Sequence, residues 1–339
     1  MKKMTVSKPG KLYLAGEYAV VSGQPALLMS TTKKLHVTLS SCDVFTYLND
    51  TFEVLENGKT DLNQPFLKEA IHIAHEYVLF FTQLHPYKIH VESELDLPLY
   101  PKLGLGTSGA ITAAIIEAIV LYHGLKLDKL TLYKLSVLAQ YKVYPFSSYG
   151  DLACSCFDDW IYYQPFDRDF LSNHLDKNVK ELVEMNWKDL EIKTIKKPAL
   201  PMLIIYTNTP ADSASLVKMM IAHQNSTYYE AFLKDSLQFV KRYTKGLESN
   251  DFNTLFDLTH EYNELFKEIA LKTQVPLFTD TMFAIEHIVK KNKGTTKFSG
   301  AGGGDCMLAI FKTEEDKLSA KKNLANQYTL LNDMVKGLM

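Results

Sequence analysis

The sequence predicts a mixed α+β chain, with strands and helices segregated rather than strictly alternating. Three observations predict it. The first 55 residues read mostly as strands, long helical stretches gather at 212–292, and a compact strand precedes those helices while another follows them. At 339 residues, with 46% apolar and 22% charged residues, the chain can bury a sizeable core in each of two domains. The texture changes beyond residue 165, so the expected domains are 1–165 and 166–339.

Leu35, Val37 and Leu39 alternate with His36, Thr38 and Ser40, the period-2 signature of a half-buried strand. Asn49-Asp50 separates Val44–Leu48 from Thr51–Leu55 and suits a hairpin turn. Pro65–Phe81 reads as a helix and Tyr87–Glu92 as a strand. Helices are expected over Thr107–His123 and Asp128–Lys142, the latter capped by Asp128. Asp151–Phe157 opens a short helix ahead of the strand Trp160–Gln164. In the second half, Lys196–Pro201 leads into the strand Met202–Tyr206. A glycine-rich loop at 300–304 feeds the strand Cys306–Phe311, and a helix and short strand close the chain.

Composition excludes several classes of function. A net charge of −2 carries no electrostatic footprint for nucleic acid or for an acidic membrane surface. Cys42, Cys154, Cys156 and Cys306 form no disulfide framework and no C-x-x-C pair, so reduced thiols are expected. Glu17 interrupts the apolar stretch after the basic N-terminus, and Glu117 breaks the longest apolar run. Neither a signal peptide nor a membrane helix is expected, and the expected location is cytoplasmic. Only two arginines occur, Arg168 and Arg242. A polyanionic ligand must therefore be held mostly by lysines, hydroxyls and backbone N–H groups.

The most informative stretch is Lys102-Leu-Gly-Leu-Gly-Thr-Ser-Gly-Ala110. Gly104, Gly106 and Gly109, with Thr107 and Ser108, stand directly before an Ala- and Ile-rich helix. Glycine lets backbone approach a ligand, and a helix start offers free N–H groups and a positive dipole end. The pattern is a phosphate cradle, although a tight turn before a helix would look the same. The G-x-G-x-x-G spacing is met, but Pro98 and Pro101 interrupt the strand a dinucleotide fold would need. No P-loop motif occurs, and neither H-R-D nor D-F-G of the protein kinases.

Two further segments accompany this loop. Pro9-Gly-Lys-Leu-Tyr-Leu-Ala-Gly-Glu17 places Lys11 in an otherwise apolar strand, where a lysine is rarely buried without a partner. Taken alone, it would fit an exposed edge strand. Ser299-Gly-Ala-Gly-Gly-Gly-Asp305 is the third segment. Asp151 follows Gly150 at a helix start, a position that also suits a cap. His72 and His75 lie at i, i+3 beside Glu76, but no third ligand accompanies them, so they are not taken as a metal site.

In this order the three motifs resemble those of the GHMP kinases, from Lys8 to Phe311. Ser148-Tyr-Gly-Asp-Leu-Ala-Cys154, Tyr163-Gln-Pro-Phe-Asp167 and Glu17-Tyr18 are similar to the bacterial branch that phosphorylates 5-phosphomevalonate. So is Thr207-Asn-Thr-Pro-Ala-Asp-Ser213. The chain departs from that branch at Ala214, where a second serine is common, and at Met307, where glycine is common.

The resemblance implies a two-domain GHMP fold: an N-terminal α+β, ATP-binding domain with a left-handed βαβ unit, and a ferredoxin-like C-terminal domain. It implies ATP and Mg²⁺ as cofactors and 5-phosphomevalonate as the acceptor, in isoprenoid precursor synthesis. The alternatives are mevalonate as acceptor, or an inactive sensor of the same fold. By similarity, Lys11 and Asp151 are catalytic. Lys102, Gly104, Gly106, Thr107, Ser108, Gly109 and Ala110 bind the nucleotide, with Ser108 near Mg²⁺. Lys11, Glu17, Tyr18, Ser148, Ser213, Ser299, Gly300, Ala301 and Gly302 hold the acceptor. Neither nucleic acid nor membrane is an expected partner.

Overall fold

The computed structural model describes residues 3–42, 54–56, 59–60, 65–96 and 102–335. The expected turn at Asn49-Asp50 lies outside these residues. Two long antiparallel strands, β1 (Lys3–Ala15) and β2 (Ala26–Ser41), form a ribbon. The pairing shifts register between Pro9 and Lys11 and again between Tyr13 and Ala15. Such irregularities re-aim individual side chains, and these two flank Lys11 and Tyr13.

The ribbon anchors a seven-stranded sheet ordered β4-β3-β5-β2-β6-β7, with β1 also paired to β2. The other strands are β3 (Val54–Glu56), β4 (Lys59–Thr60), β5 (Tyr87–Ser93), β6 (Ile161–Gln164) and β7 (Glu191–Thr194). β3 and β5 run parallel with helix α1 (Pro65–Leu79) between them, which makes a βαβ unit. Helices α2 (Thr107–Tyr122), α3 (Lys129–Val143) and α4 (Gly150–Phe157) complete this layer. α2 is buried on nearly every side, as its all-round apolar sequence requires. Asp128 caps α3 by accepting from the N–H groups of Leu130 and Thr131.

The expected break between residues 165 and 166 falls inside this first body. α5 (Arg168–Ser172) and α6 (Val179–Glu184) follow it, and Leu171, Val179, Leu182, Val183 and Trp187 all pack into the first core. β7 then pairs with β6, so the chain leaves this sheet only after Thr194. The short, mixed elements of 166–194 carry little periodicity, which hid this extension from the sequence.

The second body holds a four-stranded antiparallel sheet ordered β11-β8-β10-β9. Its strands are β8 (Met202–Tyr206), β9 (Thr295–Ser299), β10 (Cys306–Ile310) and β11 (Thr329–Leu330). Between β8 and β9 run α7 (Ser213–Ile221), α8 (Thr227–Ser249), α9 (Phe252–Thr273) and α10 (Asp280–Lys291), and α11 (Glu314–Leu324) precedes β11. The order is the β-α-β-β-α-β ferredoxin-like arrangement. The ribbon serves both bodies. Val6, Tyr13, Ala26 and Leu28 face the first core, whereas Leu12, Leu14, Leu27 and Met29 face the second. Among the described residues no helix is long and apolar enough to cross a membrane.

Candidate active site

A cleft of about 740 Å³ lies between the two bodies, and all three sequence motifs reach it. The loop before α2 forms one wall. Gly106 is the N-cap of α2 and Thr107 its first residue, so Ser108 lies in the first turn with its side chain exposed and is not the cap. Gly104 and Gly109 are glycines for steric reasons. A Cβ on Gly109 would meet Asp151 Oδ2 at 2.7 Å, and one on Gly104 would meet the Asp305 carboxyl carbon at 2.4 Å. The loop thus drapes over two carboxylates.

Lys11 rises half-buried from β1 beneath this loop. Its Nζ donates to Gly104 O at 2.9 Å and sits 5.4 Å from the centre of the Tyr13 ring. A Cβ on Gly300 would stand 3.9 Å from the same Nζ, so the third motif closes over Lys11 from the other domain. Asp151 occupies the first turn of α4, where Tyr149, not Asp151, is the N-cap. Desolvation by its surroundings holds the Asp151 carboxyl above the usual range, and the Lys11 charge opposes that shift.

The opposite side of the cleft is built from hydroxyls and backbone. Ser148 Oγ pairs with Tyr13 OH at 2.9 Å, and Tyr163 OH donates to Ser148 O. Ser213 begins α7, which Asp212 caps by accepting from Ser215 N. Ser299 is buried, and its Oγ accepts from Tyr13 N at 2.7 Å. Tyr18 has a positive φ of 61° and donates its hydroxyl to Ala301 O. Gly302 packs on the Leu277 carbonyl. Glu17 is buried at the back of the wall and pairs with Lys297. Lys102 reaches across the cleft to donate to Ala211 O at 2.7 Å. Ala110 is buried in the first turn of α2.

Several cleft residues carried no usable sequence signal. Asp96 lines the cleft and accepts a hydrogen bond from Ser93 Oγ at 2.9 Å. Tyr13, Asp212 and Asp305 also line it. These three lie inside the quoted motifs, but nothing in the motif spacing shows that their side chains face the cleft. Asp305 accepts from Ala211 N at 2.9 Å, and burial raises its pKa. The two histidines of α1 are not a site. His72 pairs with Glu76 on the surface. His75 is fully buried, bonded to Tyr87 OH at 2.6 Å, and pushed down to about 3 by burial.

A cleft with a glycine loop at a helix start and a half-buried lysine beneath that loop suits phosphate-bearing ligands. Family comparison gives the class. Residues 66–159 match the GHMP kinases N terminal domain and residues 244–330 the GHMP kinases C terminal domain, together just over half of the chain. The chain belongs to the GHMP kinases. It is 29% identical to a phosphomevalonate kinase of Streptomyces sp. (strain CL190) over 340 residues, covering 91% of this chain and 90% of that protein. A solved structure of the Lin0012 protein from Listeria innocua superposes with a TM-score of 0.88 at 28% identity, covering 97% of each chain. Streptococcus pneumoniae phosphomevalonate kinase, solved with phosphomevalonate and AMPPNP, has the same fold. Its TM-score is 0.85 at 23% identity, over 97% of this chain and 98% of that one.

Proposed function

We propose that the protein transfers the γ-phosphoryl group of ATP to 5-phosphomevalonate, giving 5-diphosphomevalonate and ADP. The observation that carries this is the position of Lys11. It lies between a glycine loop at the head of α2 and a second wall of serines and backbone, Ser148 from the first body and Ser213, Ser299 and residues 300–302 from the second. Two phosphate-bearing ligands then meet at one ammonium. The kinship with the Streptomyces enzyme over nearly the full chain supports the same acceptor.

Phosphoryl transfer requires positioning and charge stabilisation more than covalent chemistry from the protein. The loop 104–110 presents backbone N–H groups to the nucleotide phosphates. Ser148, Ser213, Ser299 and the 300–302 backbone hold the acceptor's phosphate. A phosphomonoester has a second pKa of about 6, so its attacking oxygen is already largely anionic at neutral pH. Lys11 relieves the repulsion between the two polyanions, and Asp151 orients Lys11 and the acceptor.

The donor set also suits Mg²⁺. Among the described residues no group of three or more His, Cys, Asp or Glu could hold a metal ion. Ser108, with the Asp151 carboxylate, offers the one or two protein oxygens that Mg²⁺ takes when phosphates and water supply the rest. Bound there, the cation would neutralise phosphate charge. A coupled ADP-release assay with phosphomevalonate and mevalonate side by side tests the proposal. Phosphomevalonate is expected to be the far better substrate, because a site built around a phosphate leaves buried donors unpaired when that phosphate is missing. Comparable kcat/KM on the two acceptors would refute it.

A further inference from the structure

Lys297 and Glu17 form an ion pair at the junction of the two bodies, and both side chains are only 1% exposed. Lys297 lies on β9, and Glu17 in the turn that follows β1. Lys297 Nζ donates to the Glu17 carboxylate, to Phe298 O at 2.6 Å and to Tyr13 O at 3.4 Å. All three ammonium protons are thereby used. The second carboxylate oxygen of Glu17, Oε2, is buried with no hydrogen-bond partner. A buried pair satisfied on one side only is a poor source of stability, because desolvation of the two charges offsets their attraction.

The pair's neighbours suggest a different role. Two more bonds join the same two segments. Tyr13 N donates to Ser299 Oγ, and Tyr18 OH donates to Ala301 O. Tyr13, Glu17, Tyr18, Ser299 and Ala301 all line the cleft, whereas Lys297 does not. Tyr18 is held at a φ of 61°, which its surroundings must enforce. Accepting from Tyr13 N leaves the Ser299 hydroxyl proton available to donate into the cleft. Lys297 therefore stands behind the wall at the point where the β1 turn and the 299–302 loop are pinned together.

We propose that Lys297, through its buried pair with Glu17, is a positioning residue for the acceptor-phosphate side of the cleft. The inference rests on the assignment of Ser299–Gly302 to the acceptor given above. The nucleotide loop at 104–110 has no bond to either partner of the pair, so the effect is one-sided.

The test is a pair of variants. Glu17→Gln/Lys297→Met removes both charges and nearly preserves volume, so no unpaired charge stays buried. Glu17→Asp keeps both charges and withdraws the carboxylate by one methylene. In each, KM for phosphomevalonate is expected to rise roughly tenfold or more, since small misplacements of binding groups carry large kinetic penalties. KM for ATP should stay within about twofold, and the melting temperature of the double variant near that of the wild type. Unchanged KM values in either folded variant, or an equal rise for both substrates, would show the pair to be a fold element only. If the double variant does not fold, Glu17→Asp decides by the same criterion. A wild-type protein that ignores phosphomevalonate would instead refute the acceptor assignment. The same comparison would then be made with whichever acceptor the wild type uses.

Discussion

Gly104 and Asp305 compete for one volume: a Cβ on the glycine would lie 2.4 Å from the aspartate's carboxyl carbon and Oδ2. The glycine loop before α2 thus rests directly on the third motif of the other domain. Asp305 in turn accepts from Ala211 N, and Lys102 donates to Ala211 O, so three loops meet here. Gly104→Ala is expected to push these loops apart and to strain a residue at φ +72°. The expected cost is about 1–3 kcal/mol of stability, with a raised KM for ATP. Thermal unfolding and initial-rate kinetics check it; a variant with unaltered melting and KM would contradict the contact.

Asp305 also predicts a pH dependence. Its folded pKa is raised by burial, with the Ala211 N–H and the charges of Lys11 and Lys102 opposing the shift. The folded state therefore binds the proton more readily than the unfolded state. Stability falls as pH rises from the unfolded value of 3.8 through the raised folded pKa, and the deficit persists at neutral pH. Asp305→Asn keeps an acceptor for Ala211 N and removes the charge. It should melt higher than the wild type by about 1–3 °C at pH 7, and the gap should close as the pH is lowered toward 4. A constant gap across that range would contradict the burial argument.

Lys11 and Asp151 should differ in importance. Removing a well-aimed charge-stabilising donor typically costs on the order of 10²–10³ in kcat. Lys11→Met is expected to fall in that range and Asp151→Asn to lose less, because an anionic acceptor needs no strong base. The measurement is kcat at saturating ATP and phosphomevalonate, after circular dichroism confirms folding. Should Asp151→Asn prove the worse, with a titrating base lost from the pH profile, Asp151 acts as a general base.

Thr107→Ala with Ser108→Ala removes both hydroxyls at the head of α2 and should raise KM for ATP roughly 10-fold or more, given about 1.5–3 kcal/mol per bond to a charged group. His72→Ala, on the surface beside Glu76, should leave both activity and stability within error. His75→Ala should cost about 2–4 kcal/mol through the cavity and the broken bond to Tyr87, with activity per folded molecule unchanged. Loss of catalysis in folded His72→Ala protein would revive a metal role for α1.

The sequence revealed the motif-bearing elements because their signals are local. The strand at Leu35–Leu39 and the cap at Asp128 depend on alternation and on one side chain. The glycines at 104 and 109 were legible as glycines. Their reason, the carboxylates of Asp305 and Asp151 packed against them, is a contact across long sequence distances that no window of residues contains. Glu17 illustrates the same limit: its motif placed it near the cleft, yet its partner Lys297 is 280 residues away. The domain boundary was misplaced because β7 joins its sheet through pairing with β6 and not through any pattern of its own.

The β1–β2 ribbon, apolar toward both cores, makes the two bodies thermodynamically inseparable. Alternate residues of one strand belong to different cores, so neither core can melt without exposing the other's floor. A fragment ending near residue 195 would carry Leu12, Leu14, Leu27 and Met29 as an uncovered hydrophobic sheet face. The cleft is therefore not a hinge between independent folding units. It is a groove in a single cooperative unit, and calorimetry should record one unfolding endotherm for the whole chain rather than two.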